Sequence, residues 1–212
     1  SSNIEVATGT ADLSTVRQQD RLQVEEIHIH NGYLSDPLRH DLALLELSTP
    51  VSSTQANWLP WETNIQLPLD GTEIKTAGWG STIAGEAGKE TILREAQGSI
   101  LFNPGTNRCG QWSTFDPSQW LCVGGEEKIG SCLGDGGGPV TTGSVLPVLL
   151  GVIAWGPSGD CASTRLPNVA VRLSTYNDWI SQKVGNPWKR AEGITWFNHA
   201  IKNLQLGQSY TF

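Results

Sequence analysis

Basic residues are scarce in this chain, and they do not cluster. The 212 residues include 14 lysines and arginines against 21 aspartates and glutamates, which gives a net charge of −7 and no run of Lys or Arg. Nucleic acids and anionic membranes attract proteins that present a basic face. We therefore expect neither a nucleic acid nor a membrane as a partner of this protein.

Long apolar runs are also missing. No stretch approaches the ~20 apolar residues of a membrane-spanning helix, and the N-terminus has no signal-peptide pattern. The sequence therefore predicts a mature or processed chain. No Asn-x-Ser/Thr triplet occurs, so N-glycosylation is not expected.

Metal-binding patterns are sparse as well. The four cysteines include no close C-x-x-C pair, and the acids between residues 12 and 26 lack EF-hand spacing, so we expect no metal and no other cofactor. Four cysteines in a chain of this size fit an oxidised, secreted protein better than a zinc protein. Four free, buried thiols in a cytosolic protein are the alternative.

Short strands separated by turns account for most of the chain. Apolar segments that alternate or form compact runs predict strands at residues 22–30, 42–47, 73–79, 92–101, 139–142, 145–155 and 168–173. This even spacing indicates a barrel or a sandwich. A chain of this length can hold one all-β domain or two small barrels that share an interface.

Helix is predicted only towards the C-terminus. Thr175 is a candidate N-cap, Tyr176, Ile180 and Val184 fall on one face, and Gly185 ends the helix. A second helical stripe follows, formed by Ile194, Phe197, Ile201 and Leu204. This second helix either packs on its own barrel or docks on another domain or subunit.

A glycine-rich hexapeptide at residues 134–139, Gly-Asp-Gly-Gly-Gly-Pro, has the layout of a nucleophile loop. Glycine at 134 lets the N–H groups of Gly134 and Gly136 converge on one point and hold an oxyanion. Only a side chain at position 136 could attack a carbonyl carbon, and Gly136 has none. A tight turn between strands is the simpler interpretation of the hexapeptide alone.

Four further motifs occur along the chain in a specific order. They are His-Asp-Leu-Ala-Leu-Leu at 40–45, Ala-Gly-Trp-Gly-Ser-Thr at 77–82, Gly-Val-Ile-Ala-Trp-Gly at 151–156 and Tyr-Asn-Asp-Trp-Ile at 176–180. Together with the hexapeptide, they resemble the trypsin/chymotrypsin-like serine peptidase family as far as about Gly185. The resemblance implies an all-β fold of two six-stranded antiparallel barrels, followed by a C-terminal helix.

The resemblance divides the chain into four parts. Residues 1–60 are the remainder of the N-terminal barrel, 61–173 the linker and C-terminal barrel, 174–185 the C-terminal helix, and 186–212 a helical extension. Residues 1–13 already resemble the family segment that follows an Ala-Ala-His-Cys motif, and none of the four histidines lies in that context. Because an incomplete first barrel leaves open strand edges, we expect a separate light chain to carry the missing strands and the histidine.

The resemblance also assigns catalytic positions. Asp41 matches the triad acid that orients the histidine, and the N–H groups of Gly134 and Gly136 match the oxyanion hole. Gly136 occupies the position of the nucleophilic serine, and Asp135 matches the acid that pairs with a new amino terminus after cleavage. Two disulfides are implied as well, Cys109–Cys122 and Cys132–Cys161.

The substrate-binding positions depart from those of tryptic members. The residues implied to line the pocket are Gly130, Leu133, Trp155, Gly156 and Asn168. Gly130 at the pocket base carries no charge, so selectivity for Lys or Arg is not supported, and the Asn168 amide could narrow the pocket. Two polar supports of the site are also absent, since alanine occupies positions 154 and 170.

Two hypotheses about function follow. The first is a non-catalytic serine-protease homologue, the heavy chain of a cleaved protein, that binds a protein or peptide partner. The second is a serine endopeptidase of non-tryptic specificity whose serine at 136 has been replaced and whose histidine is on the light chain. The several changed site positions favour the first hypothesis, and the intact Gly134, Asp135 and Asp41 favour the second.

Overall fold

The computed structural model describes residues 4–52, 56, 58–83, 85–86, 90–102, 108–112, 115–124, 130–157, 161, 166–184 and 204–206. Its strands are β1 (Glu5–Ala7), β2 (Arg21–Ile29), β3 (Leu34–Ser35), β4 (Leu38–Arg39), β5 (Ala43–Leu47), β6 (Glu73–Gly78), β7 (Arg94–Ser99), β8 (Trp120–Val123), β9 (Pro139–Thr142), β10 (Leu149–Trp155), β11 (Asn168–Arg172) and β12 (Leu204–Leu206). Helix α1 covers Asn177–Val184, and 3₁₀ turns cover Leu13–Thr15, Gln18–Asp20, Arg108–Gln111 and Leu173–Tyr176.

The larger sheet has six antiparallel strands in the order β7-β6-β9-β10-β11-β8. Its two outer strands approach each other, because Ile100 directly after β7 forms a bridge with Val123 of β8. The sheet therefore curls round a core that includes Ile74, Val140 and Leu150. This architecture confirms the predicted all-β, chymotrypsin-like fold.

The smaller sheet has the order β1-β2-β5-β12, and β3 pairs with β4 in a separate hairpin. Its inner face packs Val24 of β2 against Leu45 and Leu47 of β5. Since successive strand residues point to opposite faces, Glu46 lies on the outer face of β5. Three of its four strands, β1, β2 and β5, come from the part of the chain that the resemblance assigns to the first barrel.

The prediction of a helix in the extension is wrong at Leu204. Leu204–Leu206 form β12, which pairs antiparallel with β5 so that Leu204 lies opposite Glu46 and Leu206 opposite Leu44. The physical reason is the edge of β5, whose backbone N–H and C=O groups require partners that a helix cannot supply. The other members of the predicted stripe, Ile194, Phe197 and Ile201, lie outside the described residues.

Each of the seven strands predicted from the sequence overlaps an observed strand, and α1 covers most of the first predicted helix. The sequence analysis missed β1, β8 and the β3–β4 hairpin. Strand β8 is four residues long and buried throughout, so it lacks the alternation that identifies a half-exposed strand. No helix within the described residues is long and apolar enough to cross a membrane.

One core cluster joins the two sheets and α1. It contains Leu44 of β5, Val152 of β10 and Ile180 of α1, all of them buried. The structure also contains both disulfides that the resemblance implies, Cys109–Cys122 and Cys132–Cys161. These contacts hold the nucleophile loop, which follows Cys132, and Asp41, which precedes β5, in one framework.

Candidate active site

The nucleophile loop is built from short backbone hydrogen bonds. The Asp135 N–H donates to the Cys132 carbonyl at 3.0 Å, and the Gly138 N–H donates to the Asp135 carbonyl at 2.9 Å. Gly134 has a φ of 96°, a left-handed conformation that glycine adopts without strain. Among the described residues, none accepts a hydrogen bond from the N–H of Gly134 or Gly136. Within this part of the chain, both groups are therefore available to an oxyanion.

The Asp135 carboxylate is held between two segments. Its Oδ1 accepts the Gly80 N–H and its Oδ2 accepts the Cys132 N–H, both at 2.8 Å. The carboxylate also packs on Gly78, and a Cβ at Gly80 would lie 2.6 Å from Oδ1. The glycines of the Ala-Gly-Trp-Gly motif thus make room for this acid, so Asp135 anchors the loop to the β6 end.

Asp41 lies two residues before the start of β5 and is half-buried. Burial raises the pKa of its carboxyl group. No described residue donates a hydrogen bond to this carboxylate, so nothing in that part of the chain offsets its desolvation. The placement suits an acid that stabilises a cation brought to it by another group.

None of the described histidines provides that cation. The Nδ1 of His40 lies 3.0 Å from the Tyr176 hydroxyl, and the ring stacks on His30 at 4.9 Å between centroids. The Nδ1 of His30 accepts the Gly32 N–H at 3.1 Å. Burial is the largest cause of the raised pKa of Tyr176, and the negative charges of Asp116 and Asp41 raise it further. The hydroxyl of Tyr176 therefore stays neutral. The sequence analysis did not identify this aromatic cluster.

An Asp41→Asn variant is expected to be more stable than the unsubstituted chain at pH 7. The raised pKa means that the folded state favours the protonated carboxyl group of Asp41. The protonated group therefore contributes to stability below pH ~3.8, and this contribution is lost as the pH rises through the folded-state pKa. Removing the charge should raise the thermal midpoint by about 1–3 °C at pH 7. Calorimetry at pH 7 and pH 3.5 measures the effect.

The exposed Asp36, changed to Asn, is the matched control and should leave the midpoint unchanged at pH 7. An equal response of both variants would show that burial of the Asp41 carboxylate does not cost stability.

The predicted binding pocket brings Gly130, Gly156 and Asn168 together. Asn168 at the start of β11 is 8% exposed, and its Nδ2 donates to the Ser131 carbonyl at 3.2 Å. A Cβ at Gly130 would lie 3.3 Å from Nδ2, and a Cβ at Gly156 would meet Oδ1. The Asn168 amide therefore occupies the space that the two glycines leave open.

The other pocket positions differ in exposure. Leu133 is exposed, whereas Trp155 is half-buried and packs edge-on against Trp120 at 4.4 Å between ring centroids. Ala170 is fully buried in the core of the larger sheet, and Ala154 packs against the shared core cluster. Neither alanine presents a polar group to the site.

Sequence comparison identifies the family of this fold and site. The Trypsin family model matches residues 1–180. The chain belongs to the trypsin family of serine peptidases. The resemblance of the five sequence motifs to that family is therefore confirmed.

Three curated relatives within the trypsin family illustrate the similarity. The chain is 34% identical to human (Homo sapiens) serine protease 56 over 82% of its own length and 29% of that protein. It is 32% identical to trypsin of Xenopus laevis over 73% of its length and 61% of that protein. It is also 32% identical to human kallikrein-12, over 74% of its length and 62% of that protein. The chain thus spans less than two thirds of each of these relatives.

Proposed function

We propose that this chain is a non-catalytic member of the trypsin family that acts by binding a protein or peptide partner. The observation that carries the proposal is Gly136, which replaces the nucleophile in a loop that is otherwise fully formed. The loop keeps its Asp135 anchor, and the N–H groups of Gly134 and Gly136 have no acceptor among the described residues, so the scaffold supports binding of a carbonyl oxygen. Without a side chain at 136, an acyl-enzyme cannot form.

The pocket geometry supports the same proposal. Asn168 fills the space between Gly130 and Gly156 and satisfies its amide on the Ser131 carbonyl, so a long substrate side chain would have to displace a hydrogen-bonded group. A partner would instead contact the rim, where Leu133 is 41% exposed. The proposed ligand is therefore a protein or peptide surface rather than a basic side chain.

A light chain is the first partner that we propose. A carboxylate has about four acceptor positions, and only two of those on Asp135 are used by described residues, which leaves room for an amino group. The Asp41 carboxylate likewise has no donor among the described residues. An amino group and an imidazole from a second polypeptide would complement both acids. The two disulfides fit extracellular localisation for such a complex.

The endopeptidase with a replaced serine is the second candidate function. The intact Asp135 anchor favours it, because this acid shapes the oxyanion loop that catalysis needs. The two candidates differ in how the protein, together with a light chain that carries the histidine, responds when serine is restored at position 136.

The purified chain is expected to show no covalent labelling by a fluorophosphonate probe and no burst with ester substrates. Both reactions need a nucleophilic oxygen at position 136, which glycine lacks. Gel fluorescence and stopped-flow absorbance measure the two effects, with a trypsin labelled in parallel as the positive control. Stoichiometric labelling of the chain would contradict the non-catalytic proposal.

A further inference from the structure

Three side chains with metal-ligand chemistry lie together on the outer face of the first sheet, away from the nucleophile loop. Glu26 and His28 are two residues apart on β2 and therefore share a face, and Glu26 is the register partner of Glu46 on β5. The Nδ1 of His28 lies 3.3 Å from Glu26 Oε1, and its Nε2 lies 3.1 Å from Glu46 Oε2. The imidazole thus stands between two carboxylates.

The charges of this triad are unbalanced when the imidazole is neutral, whereas a protonated ring would pair with both carboxylates. Two carboxylates directly opposite each other on antiparallel strands repel. Neither Glu26 nor Glu46 forms an ion pair with a described lysine or arginine. With a neutral imidazole the triad carries a charge of −2, which a divalent cation would neutralise.

The imidazole nitrogens supply an independent argument. A neutral imidazole has one N–H and one lone pair. Nε2 faces Glu46 Oε2 in hydrogen-bond geometry, whereas Nδ1 is close to Glu26 Oε1 without forming a hydrogen bond, so a neutral ring protonated at Nδ1 leaves the Nε2 lone pair directed at an oxygen that also carries lone pairs. Two ligand atoms of a tetrahedral Zn²⁺ site with bonds of ~2.1 Å are ~3.4 Å apart. The observed separation of 3.1 Å between Nε2 and Glu46 Oε2 is close to that value.

We propose that Glu26, His28 and Glu46 form a binding site for a divalent transition-metal ion of the zinc type. His28 Nε2 and the Glu46 carboxylate are its ligands, and water completes the coordination. Glu26 accepts the Nδ1–H of His28 and so orients the ring, as carboxylates behind zinc-bound histidines do. One potential ligand atom from each residue lies within 4.8 Å of the others, so small side-chain rotations suffice.

The test is calorimetric titration of the EDTA-treated, dialysed full chain with ZnCl₂ at pH 7.5. We expect saturable binding of one ion, lost in His28→Gln and weakened at least tenfold in Glu46→Gln. Glu26→Gln should weaken binding less than Glu46→Gln, because its amide oxygen still accepts the Nδ1–H. Circular dichroism of each metal-free variant checks that the fold is retained.

His30→Gln is the matched control, since His30 directly follows β2 but is not part of the triad, and this variant should bind zinc like the unsubstituted chain. CaCl₂ should give no saturable heat, because an imidazole is a poor ligand for calcium. The proposal is overturned if zinc does not bind, if His28→Gln binds unchanged, or if His30→Gln abolishes binding.

Discussion

The Gly136→Ser variant is expected to have no more peptidase or esterase activity than the unsubstituted chain. Serine at this position regains an oxygen but not a base to remove its proton, because the described histidines His28, His30 and His40 are engaged elsewhere. The loss of a triad member leaves turnover about 10⁶-fold below that of a complete triad. Hydrolysis of a panel of p-nitrophenyl esters and fluorophosphonate labelling measure the outcome.

Gly136→Ala is the matched control, because it adds a Cβ at the same position without a nucleophile. Labelling of the serine variant, but not of the alanine variant, would show that this chain carries its own general base. The proposed light chain would then be unnecessary for catalysis, and an endopeptidase with a replaced serine and a general base of its own would be the better description.

The Asp135→Ala variant is expected to lose about 2–5 kcal/mol of stability. The N–H groups of Gly80 and Cys132 would both lose their acceptor, and each unsatisfied group costs about 1–3 kcal/mol when buried. For a chain of this size the loss corresponds to a fall of about 5–15 °C in thermal midpoint. Thermal unfolding measures the total, and amide hydrogen exchange shows whether the loss is concentrated at residues 130–138.

Two controls distinguish the loss of the hydrogen bonds that anchor the loop from the loss of a negative charge. Asp135→Asn keeps one acceptor oxygen and should lose roughly half as much stability as Asp135→Ala, whereas Asp36→Ala removes an exposed acid and should change little. If Asp135→Ala unfolds at the same temperature as Asp36→Ala, the carboxylate does not anchor the loop.

Local sequence patterns were sufficient to predict most of the strands and helix α1. The alternation at residues 22–30 and the compact apolar run at 42–47 correspond to β2 and β5, and the helical spacing of Ile180 and Val184 corresponds to α1. The extension shows the limit of this reasoning. A stripe that includes Leu204 fits helical spacing, yet Leu204–Leu206 extend along β5, because pairing with a strand edge outweighs weak local propensity.

Some features of the candidate site could be predicted from the sequence, and others depend on the tertiary structure. The sequence by itself determined the order of the five motifs, the absence of a side chain at 136 and the family resemblance, because these properties reside in short contiguous segments. Only the tertiary structure decided that the Asn168 amide lies between Gly130 and Gly156 and that Gly80 donates to Asp135. It also decided that Glu46 faces His28. These contacts join segments far apart in the chain, and their geometry depends on strand register and loop packing, which residue spacing does not encode.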